Sequence, residues 1–468
     1  MKLIYLSLAA LLFAVSCTKF DDININPNVP SQASGTQLIA NAETSLPFLL
    51  ESPQGEFAAQ FLSETQYPNA SLYPEGSSSF YWLYTGPMMD LHTVINSQNL
   101  LPGEGPIANQ IAVAKTLMAY YLWHTTDRWG DVPYTDAFRG SSNFTPKYDT
   151  QSQLYDSIFS LTSSAASMMV AGNISNDIVF GGDISKWKKL ANTIHMLAAL
   201  RLSKVDATKA NREFNSALSA GVMASNADNF TYKHVADANN QNYWYGQITQ
   251  QNRQWWALSA LLVNSMKPVN DPRLPIYGKP ATSSGQYTGL PFGTTTGMPN
   301  TTNYSLLGAE PSKQDATAYI VTYAQVLFAM AEAAKLGWIS GGDATAKTNY
   351  DNALEQSTRQ WKNNDTTGLS MWRTNPLVAY DPTSAIQKIA TQRWIHLFMH
   401  GYEAWAEWRR TGYPQLTSPV GNPNTAIPRR NTYPETEAFN NKANYLEAVN
   451  RQWSGRNIST DRVWWDKP

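Results

Sequence analysis

The chain has 468 residues, with Lys+Arg 35 against Asp+Glu 36 and a net charge of −1. That balance excludes a basic nucleic-acid binder, and no run of Lys or Arg offers a polybasic membrane patch. Aromatic residues make up 12% of the chain, with 16 Trp and 24 Tyr, which excludes a disordered protein. A single Cys excludes both a disulfide scaffold and a cysteine-based zinc cluster.

The first residues read as a processing signal. Lys2 supplies a positive start, and Leu3 to Val15 is an apolar run broken only by Ser7. The run is shorter than the roughly 20 residues needed to cross a bilayer, so it is a secretory signal peptide over residues 1–16. The only cysteine, Cys17, follows Ala14-Val15-Ser16. This spacing is similar to a bacterial lipobox, in which Cys17 would carry the lipid and become the new N-terminus. Residues 17–34 are rich in Asp, Asn, Pro and Ser and read as a tether. Within it Asp22, Asn24, Asn26 and Asn28 alternate as calcium-loop ligands do. Pro27 stands where such a loop needs Gly, and Ala33 where it needs Glu, so no calcium site is expected. The longest later apolar stretch, Tyr319 to Ile339, contains Gln325, Glu332 and Lys335. The expected membrane attachment is therefore by lipid rather than by a helix.

The body, residues 35–468, reads as one mostly helical domain. Helical periods run over Ile107–His124, Tyr148–Met169, Asp183–Lys204 (with Asp183 as N-cap) and Ala207–Ala220. They continue over Tyr319–Trp338, Ala344–Trp361, Ser384–Met399 and Tyr402–Arg410. Ala210, Phe214 and Ala217 share a small-large-small spacing with Ala346, Tyr350 and Ala353. That spacing suits the second helix of a tetratricopeptide-type pair, with Ala198 and Ala334 as small residues on the first. The stretch 230–316 is different. It is rich in Asn, Gln, Gly, Pro and aromatics, with a helical period only over Gln254–Met266, and reads as a functional insertion.

Several stretches, in order, carry a resemblance. They are Asn26-Pro27-Asn28; the Trp82 to Asn96 helix; Trp129-Gly130-Asp131-Val132-Pro133-Tyr134; and Trp187 to Asn192 with Arg201-Leu202-Ser203. Further on come Asp271-Pro272-Arg273-Leu274, Tyr323 to Phe328 with Ala331-Glu332-Ala333, Gly401 to Trp405, Arg409 to Pro414 and Val463 to Asp466. Together they resemble the SusD/RagB-like outer-membrane lipoproteins of Bacteroidetes. Lys19, Asp21 and Asp22 after the cysteine are similar to the surface-export signal of such lipoproteins. The chain departs from the family pattern at Gln325, where Glu is common, and at His195 or Met196, where Arg is common. The resemblance implies an all-α SusD-like fold, with tetratricopeptide-like helix pairs as scaffold and long loops carrying the binding face. It implies a non-catalytic protein that captures nutrient and passes it to a SusC-like TonB-dependent transporter.

A glycan is the expected ligand, with a peptide as the alternative. Sugar rings stack their C–H faces on Trp or Tyr, and their hydroxyls need planar amides beside the ring. Asn242-Tyr243-Trp244-Tyr245 fits that need, as do Tyr287, Asn303 with Tyr304, and Asn69 with Tyr73. Phe80, Trp82 and Tyr84 read as helix packing, and Trp464 and Trp465 as an anchor for the C-terminus. His396 and His400 stand at i, i+4, but Leu397 occupies the position where a zinc protease needs Glu, so no metal is expected. Glu403 and Glu407 stand on one helix beside Arg409 and Arg410, which suits ion pairing better than the two facing carboxylates of a glycoside hydrolase. An extracellular glycoside hydrolase is the second alternative, and a tetratricopeptide-type structural adaptor without a small ligand the third. No phosphate-binding loop or dinucleotide fingerprint is present, and no cofactor is expected.

Overall fold

The computed structural model describes residues 33–468 except 75, 77 and 296. The expected signal peptide over residues 1–16, Cys17 and almost all of the expected tether lie outside the described residues.

Among the described residues, eleven helices of ten or more residues carry the structure: α1 (Gly35–Thr44), α2 (Pro87–Asn96), α3 (Ile107–Trp129), α4 (Gln151–Met168), α5 (Ile184–Arg201), α6 (Ala207–Ala220), α7 (Tyr323–Lys335), α8 (Gly342–Trp361), α9 (Ala385–His396), α10 (Gly401–Thr411) and α11 (Lys442–Trp453). Their starts follow from local chemistry. Asp183 accepts from the Ser185 N–H and Asp206 from the Lys209 N–H, each capping a first turn that lacks intrahelical partners. Ser34 with Gln37, Thr150 with Gln153 and Thr322 with Gln325 form reciprocal capping boxes.

The helices pack as pairs: α3 on α4, α5 on α6, α7 on α8, and α9 on α10. The small-large-small spacing is the seam of two of these pairs. Ala210, Phe214 and Ala217 are buried on α6, and Ala346, Tyr350 and Ala353 on α8. Ala198 on α5 and Ala334 on α7 are also buried, as close helix contact requires.

Among the described residues four apolar clusters hold the pairs together, a small one of Ala112, Ala165, Ala166 and Ala191 between α3, α4 and α5 and three larger ones. The largest joins α1 to α6 and includes Leu91, Leu117, Leu154, Leu190, Phe214 and Trp465. A second gathers Phe57, Phe61, Trp244, Trp256, Trp394 and Trp405. A third lies between α7, α8 and α9, around Phe328, Tyr350, Leu354 and Ile389. Removing one such ring to Ala costs about 3–5 kcal/mol. Trp465 also donates its indole N–H to Asp127 at 2.7 Å, which anchors the C-terminal segment as expected.

Among the described residues, two short antiparallel ladders complete the fold. β1 (Leu62–Glu64) pairs with β3 (Trp256–Leu258), with Ser63 opposite Ala257. β2 (Phe230–Lys233) pairs with β4 (Thr317–Val321), with Tyr232 opposite Ala318. These strands correct two expected helices. The segment expected as helix from Tyr319 is strand β4 until Val321, and Thr322 then caps α7. The segment expected as helix from Gln254 is β3 followed by a helix over Ala260–Met266. In both places a β-branched or aromatic run precedes a Ser or Thr cap, and pairing with a distant strand overrides helical period. The expected Trp82 to Asn96 helix is two helices, Tyr81–Thr85 and α2, because Gly86 breaks the first and Pro87 begins the second. His396 and His400 do not share a helix. α9 ends at His396, and His400 stands just before the first turn of α10.

Among the described residues, no helix is long and apolar enough to cross a membrane.

Candidate binding cleft

A cleft of about 820 Å³ opens between the N-terminal segment, the end of α3, the start of α10 and the loop before α11. Its size suits a few sugar rings or a short peptide.

Its rim begins with a one-turn helix, Pro47–Leu50. Pro47 is preorganised for the first turn, and Leu49 and Leu50 are buried. A single turn that buries those leucines turns Phe48 outward, and Phe48 is 68% exposed. The next helical turn, Tyr81–Thr85, buries Leu83 and leaves Trp82 half-exposed on the cleft. The two rings meet edge to face, with centroids 6.3 Å apart and planes at 81°. They form an aromatic corner with one open apolar wall.

The polar side is tied down by backbone contacts. Trp129 donates its indole N–H to the Ser78 carbonyl at 2.9 Å, and Thr432 donates its hydroxyl to the Gly76 carbonyl at 2.9 Å. The Asn431 N–H donates to the Arg128 carbonyl at 2.7 Å. These bonds bring Ser78, Ser79, Asn431 and Thr432 to the cleft beside Ser52 and Gln54. Their hydroxyls and amides are the group types a sugar's hydroxyls require.

Arg128 and Tyr402 form the floor. The guanidinium lies 3.7 Å from the Tyr402 ring centroid and 4.3 Å from that of Trp129. It is 7% exposed. Burial lowers its pKa, and the Tyr402 phenol opposes that shift. His124 lies 3.2 Å from an Arg128 Nη. Burial first, and Arg128 second, hold His124 well below the ordinary imidazole range, so its Nε2 is free to accept.

The structure places the expected site residues differently. Trp244 is 1% exposed and packs edge to face on Trp256 at 5.3 Å, so it is a core residue and no ligand can stack on it. Asn242 is buried too. Its side-chain oxygen caps the Trp244 and Tyr245 N–H groups, and its amide donates to Glu51 at 2.9 Å. Tyr243 donates its backbone N–H to Glu51 and leaves part of its ring at the surface, as does Tyr245. Tyr287 and Tyr304 are half-buried and Asn303 is exposed. None of these residues lines the cleft.

Asn69 and Tyr73 do come together. Both border a second groove of about 550 Å³, and Tyr73 lines the main cleft as well. The Tyr73 hydroxyl accepts from the Gln60 amide at 2.8 Å and donates to the Phe57 carbonyl at 3.3 Å. Phe48, Arg128 and Asn431 are not marked by the sequence, and Tyr402 is marked only as part of the Gly401 to Trp405 stretch, not as a site residue. The only local signal was the apolar Phe48 directly after Pro47. Trp82, read as helix packing, does pack partly on the first core, but it also faces the cleft.

The groups considered for catalysis are structural. Glu407 pairs with Arg201, with Arg393 at 2.8 Å and with Arg410 at 2.7 Å. Burial would raise its pKa, but these three guanidinium groups outweigh burial and hold it below the ordinary range. Glu403 pairs with Arg201 at 2.7 Å, and burial pushes its pKa up. His396 bonds the Thr322 and Ser357 hydroxyls at 2.7 and 2.9 Å, and His400 bonds that of Tyr120 at 3.2 Å.

Comparison with known proteins agrees with this architecture. A family model described as SusD-like, "Starch-binding associating with outer membrane", matches residues 27–434. A solved chitin-binding protein superposes with a TM-score of 0.82 at 26% identity, covering 93% of this chain and 100% of that one. A SusD homologue from Bacteroides fragilis gives 0.81 at 25% identity, with the same coverages of 93% and 100%. A chitin-binding SusD homologue from Flavobacterium johnsoniae gives 0.78 at 22% identity, covering 92% and 98%. Comparison with curated proteins finds no match. With the family model running through both the cleft-forming N-terminal segment and the paired helices, the chain belongs to the SusD-like family of outer-membrane nutrient-binding proteins, which bind and do not catalyse.

Proposed function

We propose that this protein captures a glycan in the cleft between Phe48, Trp82 and Arg128 and delivers it to a TonB-dependent transporter of the outer membrane. The observation that carries the reading is the aromatic corner. Phe48 and Trp82 present open ring surface at 6.3 Å from one another, beside hydroxyl and amide groups. Two of the structural relatives are described as chitin-binding, which supports a sugar over a peptide. Cys17 would carry the lipid that holds the chain at the cell surface, and residues 17–34 would tether it. Confinement beside the transporter raises the effective concentration of captured ligand there. The ligand face is the cleft rather than the aromatic stretch Tyr243–Tyr245, whose central ring is in the core.

The test is calorimetry of the full chain against neutral and acidic oligosaccharides, with peptides as a parallel set. Binding that falls at least tenfold in Phe48→Ala and in Trp82→Ala supports the reading. Binding of peptides alone, or glycan binding indifferent to both changes, overturns it. Loss of lipid labelling and of membrane retention in Cys17→Ala tests the anchor.

A further inference from the structure

We propose that the cleft and the second groove form one continuous track, and that the protein binds a long glycan chain along its length rather than a fragment that fills the cleft alone. The inference rests on the cleft being the glycan site.

The two hollows meet at a shared ridge. Tyr73, Pro74 and Ser459 line both the cleft of about 820 Å³ and the groove of about 550 Å³. Pro74 is exposed, and Tyr73 and Ser459 are half-buried. A sugar chain seated on Phe48 and Trp82 therefore has a second hollow beside it, one residue-wide ridge away.

The ridge is held rigidly. Tyr73 has a φ of 54°, in the left-handed region that bulky side chains avoid. Such a conformation persists only where its surroundings over-determine it. Here Gln60, itself buried and at a φ of 58°, donates to the Tyr73 hydroxyl at 2.8 Å, and that hydroxyl donates to the Phe57 carbonyl at 3.3 Å. The Tyr73 ring packs on Phe292 with centroids 5.3 Å apart. With the hydroxyl proton committed inward, the ring is the part that borders the two hollows, and ring surface is what a sugar stacks on.

The far side of the groove is fixed by the same residue. Gln60 also donates to the Thr417 carbonyl at 2.7 Å. The Val420 and Gly421 N–H groups then donate to the Phe292 and Gly293 carbonyls, each at 2.9 Å. Gly421 permits that approach, because a Cβ there would lie 2.6 Å from the Gly293 oxygen. Asn422 follows in a turn closed by its own N–H on the Pro419 carbonyl at 2.9 Å, and the Thr425 N–H donates to the Asn422 carbonyl at 3.0 Å. Opposite, the Ser459 carbonyl accepts the Arg429 N–H at 2.7 Å. This frame presents Asn69 and Asn422, both exposed, with Thr425, Ser459 and Thr460, all half-buried. They are the amides and hydroxyls that sugar hydroxyls require, as in the cleft. A chain already seated in the cleft has lost its translational and rotational freedom, so contacts in the groove add affinity without a second such loss.

The experiment is calorimetry of the full chain against size-fractionated oligosaccharides of chitin, starch, xylan, mannan and pectin, from disaccharides to decasaccharides, with peptides in parallel. In the series that binds, the octasaccharide is expected to bind at least tenfold more tightly than the tetrasaccharide, with a more favourable enthalpy. A long chain also offers more registers on one short site, but registers multiply affinity only by their number and leave the enthalpy unchanged. The ratio of octasaccharide to tetrasaccharide affinity should fall to that register value when Asn69→Ala and Asn422→Ala are combined, whereas Phe48→Ala should weaken every length. The length series uses the unaltered protein, so it decides the matter even if the variants fold poorly. A plateau at the tetrasaccharide, or a length gain that the combined variant leaves whole, overturns the continuous track and leaves the glycan reading standing. Binding of peptides alone, or of none of the five series, overturns both.

Discussion

Gly55 and Gly401 touch backbone to backbone. A Cβ on Gly401 would lie 2.1 Å from the Gly55 carbonyl carbon and 2.2 Å from its oxygen. Gly55 belongs to the short helix Pro53–Ala58, and Gly401 opens α10, so this contact sets how closely the cleft's first wall approaches its floor. Gly401→Ala must push the two segments apart. It should destabilise the fold by about 1–3 kcal/mol, the usual range for overpacking, read as a lower urea midpoint with an unchanged slope.

Beside that contact, Glu56 accepts the Gly401 N–H at 2.9 Å. Burial pushes its carboxyl from an ordinary 4.5 up to about 8. Between those values the folded chain holds a proton that the unfolded chain has released. This group therefore lowers stability as pH rises through the window, by about 1.4 kcal/mol per unit. Below pH 4.5 both states are protonated and the effect vanishes; above pH 8 it is complete. Glu56→Gln should remove this slope. The variant should gain over the parent steadily from pH 5 to pH 8 in urea unfolding.

Two aromatic changes should separate core from cleft. Trp244→Ala empties a site in the second apolar cluster and should cost about 3–5 kcal/mol of stability. Phe48→Ala removes a mostly exposed ring and should move stability by less than about 0.5 kcal/mol. Glycan affinity should respond in the opposite order, falling in Phe48→Ala and holding in whatever fraction of Trp244→Ala remains folded. Thermal melts and calorimetry on the same preparations check both halves.

Glu407 faces three arginines, so Glu407→Gln leaves buried cations short of a counter-charge. A loss of about 3–5 kcal/mol is expected. Glu447→Gln is the matched control. It breaks an exposed pair with Arg451 at 2.9 Å, and such pairs contribute at most about 1 kcal/mol. Urea midpoints of the two variants should differ accordingly.

The helix pairs were legible because their signals are local. Asp183 sits where a cap is needed, and Ala210, Phe214 and Ala217 repeat at helical spacing. The start of α7 was misjudged for a reason that is also local: Thr317–Val321 fits a helix or a strand until its partner Phe230–Lys233 is known. The cleft was mostly illegible. Phe48, Trp82, Arg128, Tyr402 and Asn431 come from five separate segments, and nothing in their immediate neighbours marks them as companions. Trp244 misled because aromatic density beside amides describes a sugar platform and a capped core turn equally well. Asn242 proved to be the cap.

The pairing of Phe230–Lys233 with Thr317–Val321 has a wider consequence. The long segment between these strands leaves and re-enters the helical frame at adjacent points. Its length is therefore not transmitted to the α5–α6 and α7–α8 pairs on either side. Closing a longer or shorter loop between fixed ends costs little, because the entropy grows only with the logarithm of length. A different sequence grafted between the same two strands would meet the same frame, provided it still supplied a partner for β1 and the rings, Trp244 and Trp256 among them, that pack with Trp394 and Trp405. The segment is built like an insert whose exposed turns can vary in length and sequence while the helices, and the cleft to which none of its described residues contributes, stay as they are.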